Sequence, residues 1–283
     1  MAIADIEKII ERMESVKVLK SVALKVFQMA NDPQATALDI TDVVEGDDYL
    51  SALILKVANS SYYGNAGNVR SINDAVVLLG FTGIKSIAVA ASLMVRKDDG
   101  TIKKSEIIVR ERLWRHALST AIASKFIAEK TGFGDTGQAY ITGIIHDIGR
   151  LAIFQYDEKK YHAIENYSLE KGVAMIDAET AVTGFDHAQI GAIILHKWGF
   201  PEAIVQAVAY HHRFFEDLQD RDLIGVVAIA NFISNSLGFG AANIPAMDSK
   251  ILKMYGLDYD KIKKFIEQIS GILSHIDILS LGL

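Results

Sequence analysis

The pair His146-Asp147 lies in Gly143-Ile144-Ile145-His146-Asp147-Ile148-Gly149, where small and apolar residues surround two groups that are costly to bury alone. A neutral imidazole beside a carboxylate offers one nitrogen and up to two oxygen ligands, a donor set suited to iron, manganese or zinc. As a dipeptide the pair is a weak signal, because most such pairs are ordinary hydrogen-bonded residues. Other histidines strengthen it. His116 falls on the apolar stretch Leu113-Trp114-Arg115-His116-Ala117-Leu118, and the small residues Ala121 and Ala123 that follow permit close helix approach. Alone it reads as a core histidine. His187 follows Gly184-Phe185-Asp186 and opens Ala188-Gln189-Ile190-Gly191-Ala192, a helix start from which a side chain can aim into a cavity. Capping or surface exposure is its plainer reading. His211-His212 end an apolar helix, and neighbours on a helix point about 100° apart. Two such rings can serve two metals, or one a metal and the other a substrate; cationic histidines also simply favour a helix C-terminus. His162 and His196 sit among polar or aromatic neighbours and read as structural.

Composition restricts the chemistry. The chain has no cysteine, which excludes disulfides, thiolate metal sites, iron–sulfur clusters and cysteine nucleophiles, so a metal must use nitrogen and oxygen ligands. The 29 basic and 35 acidic residues give a formal net charge of −6, and the basic ones are scattered, so no footprint for nucleic acid is present. The N-terminus alternates charged with apolar residues and lacks a signal-peptide pattern. The longest apolar stretch, Ile87 to Val95, falls well short of the roughly 20 residues needed to cross a bilayer as a helix. A cytoplasmic protein without membrane contact is expected. Gly132 to Gly137 is a glycine-rich turn without the lysine and serine or threonine of a nucleotide-binding loop.

The elements that must carry these residues are helices. Only three prolines occur, and apolar residues recur mainly at three- and four-residue intervals, which predicts an all-α chain. Within Ser21–Ala30, Val22, Val26 and Met29 share a face before Asn31-Asp32-Pro33 closes it. Ser71 can cap a helix through its hydroxyl, with Asp74 three positions on, and Gly80 ends or bends that helix. Pro201 suits the first turn of a helix that carries Ile204, Val205 and Val208 toward His211. All eight histidines lie after Arg115. The polar run Arg96-Lys97-Asp98-Asp99-Gly100 is the best boundary, giving an N-terminal helical subdomain over 1–98 and a site-bearing one over 99–283. The run is too short for a free linker, so one compact unit is expected.

The sequence closely resembles the HD superfamily, and within it the HDOD branch. In the first half the resemblance is carried by Val57-Ala58-Asn59-Ser60-Ser61-Tyr62-Tyr63-Gly64 and Ile72-Asn73-Asp74-Ala75-Val76-Val77-Leu78-Leu79-Gly80. In the second it is carried by Gly143 to Leu151, Gly184 to Ala192, Trp198-Gly199-Phe200-Pro201-Glu202 and Ala209-Tyr210-His211-His212, so that it spans roughly Val18 to Asn231. It implies a multi-helical HD-superfamily bundle with an N-terminal helical HDOD layer packed on it. It also implies that His116, His146, Asp147, His187, His211 and His212 occupy the metal-ligand positions of the catalytic HD and HD-GYP phosphohydrolases. The last ligand of that pattern, an aspartate, is Asn231 here, a neutral and weaker donor. Arg150 replaces the lysine after the pair, Arg112 stands where a carboxylate precedes His116, and Arg213-Phe214-Phe215 replaces the glycine–tyrosine–proline element.

If metals bind, the resemblance implies that Asp147 bridges cations, that water is activated to attack phosphorus, and that Arg150 steadies the phosphate. The lost negative charge argues for one transition metal rather than two, with His146 and Asp147 as the core ligands. HDOD members mostly act as outputs of signalling. The expected function is therefore regulatory, through binding a signalling protein or a nucleotide-type small ligand, with a metal-dependent phosphohydrolase as the alternative. Exposed tyrosines around Asn59 to Gly64 would form a partner patch, or equally would close a helix and pack.

Overall fold

A computed structural model describes residues 6–9, 25–26, 29, 32–59, 69–93, 103–213 and 221–274. Among them are thirteen delimited helices and no strand, as the three- and four-residue spacing of apolar positions requires. No helix among the described residues is long and apolar enough to cross a membrane. Among the described residues, 25–114 fall in one compact unit and 6–9 together with 115–274 in the other. The run Arg96–Gly100 lies outside the described residues.

The first unit is built on α1 (Ala37–Glu45), α2 (Asp48–Ala58) and α3 (Ile72–Leu93), which pack against one another. Local chemistry sets their starts. Thr36 and Asp39 form a reciprocal capping box on α1, Asp47 accepts from the amide of Leu50, and Ser71 accepts from the amide of Asp74 at 3.1 Å, as its position predicts. Ile40, Val44, Leu53, Ile54, Ala75 and Val76 make the core. Gly80, with φ 66° and ψ 171°, breaks α3 in two. Asn59 bridges across the chain to Val69, donating from Nδ2 to its carbonyl at 2.7 Å and accepting from its amide at 3.0 Å. The rest of the proposed tyrosine patch, Ser60 to Gly64, lies outside the described residues.

The second unit begins within α4 (Lys104–Thr131) and continues through α5 (Thr136–Ile145), α6 (Ile148–Tyr156), α7 (Glu158–Lys171), α8 (Met175–Thr183), α9 (His187–Lys197), α10 (Glu202–Tyr210), α11 (Arg221–Ser236), α12 (Ser249–Met254) and α13 (Tyr259–Ser274). Helix α9 packs on α6 and α10, and α11 on α5 and α10, so the ends of several helices converge on one interior point. Two glycines allow the closest approaches. A Cβ at Gly143 of α5 would lie 2.6 Å from the Cα of Ala121 on α4, and one at Gly149 of α6 would overlap the carbonyl oxygen of His187. Only residues without side chains let these backbones meet.

Candidate metal centre

The pair His146-Asp147 occupies the joint between α5 and α6, with His146 closing the first helix and Asp147 at the N-cap of the second. Aspartate at that position ordinarily accepts from the amides of its own helix. Here it makes no such bond, and its carboxylate turns into the interior. His116 reaches it from α4, His187 from the first residue of α9, and His211 and His212 from the end of α10. The start of α9 is set by Asp186, which accepts from the amide of Gln189 at 2.9 Å while the Gln189 side chain accepts from the amide of Asp186.

Hydrogen bonds determine which way the rings face. His146 Nδ1 donates to the carbonyl of Gly143 and His211 Nδ1 to that of Val208, both at 2.8 Å, and His187 Nδ1 donates to Glu179 Oε2 at 2.6 Å. A carbonyl or carboxylate oxygen only accepts, so each of these Nδ1 atoms carries a proton and each Nε2 is turned inward. The three Nε2 atoms lie 3.3, 3.5 and 3.1 Å from Asp147 Oδ1. His116 Nε2 stands 3.4 Å from Oδ2 and 3.2 Å from His146 Nε2, and His212 Nε2 stands 3.1 Å from His187 Nε2. Asp147 Oδ1 is buried and accepts no hydrogen bond of acceptable geometry. Several imidazole nitrogens gathered around one buried carboxylate oxygen make a donor set suited to a cation. Separations of this size are those between ligands held by metal bonds of about 2.1 Å. Asp147 with His187, His211 and His212, and Asp147 with His116 and His146, form two overlapping groups of candidate ligands.

Electrostatics agree with that arrangement. Burial pushes His116 down to about 4 and His146 down to about 3, so both rings are neutral at pH 7 and fit to coordinate. Burial alone would raise Asp147, but the imidazoles of His146 and His187 outweigh it and hold the carboxyl well below the usual range. Without a cation, burial of His187 is outweighed by Glu179 and Asp147, which raise it to about 10. Arg150 Nη1 donates to Asp147 Oδ2 at 3.2 Å.

Every histidine singled out by the sequence as a ligand therefore lies beside Asp147. Asn231 and Arg150 line the same solvent-open cleft with His116, Asp147, His187 and His212. Asn231 Oδ1 already accepts from Asn235 Nδ2 at 2.7 Å. Arg112 is exposed. Three residues in contact with the cluster carried no signal in the sequence. Glu179 looks like any helical glutamate, Ser234 reaches His116 Nδ1 at 3.3 Å from an apolar helix, and Asn235 follows Asn231 by one turn. His162 pairs with Glu165 away from the centre, and His196 is exposed.

The HDOD domain family matches residues 16–214. A Treponema pallidum protein described as uncharacterised is 24% identical over 225 residues, covering 79% of this chain and 43% of its own length, so the chain spans less than half of that relative. An HDOD domain protein of unknown function from Geobacter sulfurreducens has a similar structure, with 24% identity, coverage of 98% of this chain and 97% of that one, and a TM-score of 0.67. A candidate signal transduction protein from Marinobacter aquaeolei is 21% identical, with 93% and 58% coverage and a TM-score of 0.67. A candidate phosphohydrolase from Shewanella amazonensis is 20% identical, with 97% coverage of each chain and a TM-score of 0.65.

Proposed function

The chain belongs to the HDOD domain family, and from that membership together with its histidine–aspartate cluster we propose a cytoplasmic signal-transduction output module with a partly preserved divalent-metal site. Its function is to bind a signalling protein or a small nucleotide-type ligand. The observation that carries the metal assignment is the convergence of Nε2 of His146, His187 and His211 on the undonated Oδ1 of Asp147. These residues, with His116 and His212, would hold iron, manganese or zinc. Bound there, such an ion supplies Lewis acidity to an oxygen-bearing ligand. The chain's own residues do the rest. Asp147 supplies the anionic ligand, and Arg150 holds that carboxylate at 3.2 Å while lining the cavity in which an anionic group would meet it. Met175, Ile176 and Ile244 give the same cleft an apolar wall.

The regulatory reading is preferred because the cluster is short of charge. Asp147 faces Arg150 directly, and Asn231 contributes a neutral amide already engaged by Asn235. Stabilisation of charge is the largest catalytic contribution in most enzymes, and losing one such contact costs about 3 kcal/mol, a hundredfold or more in rate. One observation favours the phosphohydrolase alternative. The two oxygens of Asp147 face different histidines, Oδ2 toward His116 and Oδ1 toward His146, His187 and His211, so that one carboxylate could serve two ions. Metal analysis of protein purified without chelators, followed by metal-supplemented turnover of cyclic dinucleotides and simple nucleotides, separates the readings. Bound metal with negligible turnover is the expected result. Robust hydrolysis abolished in Asp147→Ala would overturn the regulatory reading.

A further inference from the structure

Glu179 is 1% exposed and projects from α8 onto the first residue of α9. Both hydrogen bonds that reach it from His187 end on the same oxygen. Oε2 accepts the backbone amide of His187 at 2.9 Å and its ring Nδ1–H at 2.6 Å. The amide is one of the donors that the start of a helix leaves without a partner inside the helix, and a carboxylate suits the positive end of the helix dipole. That bond alone would make Glu179 a structural fixture of α9. The ring bond adds something different: it fixes the side-chain rotation and the proton position of His187 together. With Nδ1 held by Glu179, Nε2 faces Asp147 Oδ1 and His212 Nε2, both at 3.1 Å.

Charge gives the contact a second consequence. Within the buried cluster Asp147 is directly opposed by the guanidinium of Arg150, 3.2 Å away. Those two charges offset each other, and the remaining donors to a cation are imidazoles, which bring no negative charge when they coordinate. Glu179 is the further buried carboxylate in contact with one of them, and it can transmit its charge through the imidazole ring. A carboxylate behind a ligating imidazole strengthens the ring as a base and fixes its orientation.

We propose that Glu179 is a positioning residue of the metal centre, holding His187 with Nε2 toward Asp147 and supplying the negative charge that lets a site containing Arg150 take up a divalent cation. The inference rests on the metal reading of the cluster, and its test separates the two. The probes are Mn²⁺ alone, titrated into wild type, Glu179→Gln, Glu179→Ala and His187→Ala, and the Nδ1 proton of His187 followed by NMR in metal-free, ¹⁵N-histidine-labelled protein. Glutamine can accept both bonds on one carbonyl oxygen, so Glu179→Gln keeps the geometry and removes the charge.

The expected result is a protected Nδ1 proton in wild type and Glu179→Gln that is lost in Glu179→Ala. Mn²⁺ affinity is expected to be 10- to 100-fold weaker in Glu179→Gln and weaker again in Glu179→Ala. Wild-type affinity in Glu179→Gln, with uptake abolished in His187→Ala, would overturn the charge assignment. A protected Nδ1 proton that survives in Glu179→Ala would overturn the positioning assignment. If wild type takes up no Mn²⁺, the metal reading and the charge assignment fall together, and the Nδ1 proton still decides whether Glu179 orients the ring. Should Glu179→Ala not fold, Glu179→Gln carries the affinity comparison.

Discussion

The backbone of Gly149 passes so close to the carbonyl oxygen of His187 that no Cβ fits between them. This contact joins the helix that follows Asp147 to the helix that opens with His187, and it sets the distance between carboxylate and imidazole. Gly149→Ala should force α6 and α9 apart and destabilise the protein by about 3 kcal/mol, the upper part of the range for overpacking. Metal content should fall with it. Gly191→Ala is the comparison, because its Cβ would meet Val208 Cγ1 at 3.1 Å and a small adjustment relieves the contact. Thermal denaturation of both variants checks the order; equal melting temperatures would show that the close approach is unimportant.

Acid should weaken the metal-free protein well before its carboxylates titrate. His116 and His146 are held at about 4 and about 3, below the ordinary histidine value, so between there and pH 6.5 the unfolded chain binds more protons and stability falls as pH falls. From pH 7 to pH 5 each contributes a loss of roughly 2 kcal/mol. His187 opposes this. Its value of about 10 means that its contribution is fully present below 6.5 and is lost as pH rises toward 10, so the same acidification returns roughly 1 kcal/mol. The unfolding free energy of metal-free protein, read from urea titrations, should therefore be lower at pH 5 than at pH 7 by about 3 kcal/mol or more, since His212, also held well below the ordinary histidine value, adds to the loss. An unchanged or higher midpoint at pH 5 would contradict the buried neutral state of His116 and His146.

Added cation should stabilise the fold, because the unfolded chain cannot assemble ligands spread from His116 to His212. At a hundredfold excess over the dissociation constant the gain is about 2.7 kcal/mol by mass action. Melting temperature should rise with Mn²⁺ or Zn²⁺ in wild type and should not rise in Asp147→Ala. A comparable rise in both would place the bound ion elsewhere on the chain.

The histidines and the helices that carry them were legible for a common reason: their signals are local. Ser71 caps where its hydroxyl lies ahead of Asp74, His187 opens a helix after Gly184-Phe185-Asp186, and Gly80 breaks a helix at a positive φ. Asp147 stood out because a carboxylate among Gly143, Ile144 and Ile148 has to find partners. Glu179 was not legible. In Met175–Thr183 it is one polar residue among others, such as Asp177 and Thr180, and its burial depends on how α8 meets α9. Asn235 was missed similarly, since an amide bonded to Asn231 one helical turn away reads in sequence as an ordinary polar residue. The glycine approaches belong to the same class. Gly143 and Gly149 read as small residues beside a polar pair, and only packing shows that each marks a contact between backbones.

Asn231→Asp should raise the metal content of the purified protein and lower the stability of its metal-free form. Asn231 lines the cavity beside His116 and Asp147, and its Oδ1 accepts from Asn235 Nδ2. An aspartate can keep that bond on one oxygen and presents a second, charged oxygen in place of the amide nitrogen. Near Asp147 this added charge is repulsive without a cation and attractive with one. The metal-free variant should lose on the order of 2 kcal/mol, as for a buried polar group left without its compensation, and saturating Mn²⁺ should recover most of it. Asn231→Ala removes the amide without adding charge, so its metal content should not rise. Elemental analysis of the three proteins prepared in parallel, with melting curves before and after Mn²⁺, tests both directions. Equal metal content in wild type and Asn231→Asp would mean that this wall of the cavity does not face the cation, and would confine the centre to Asp147 and the histidines.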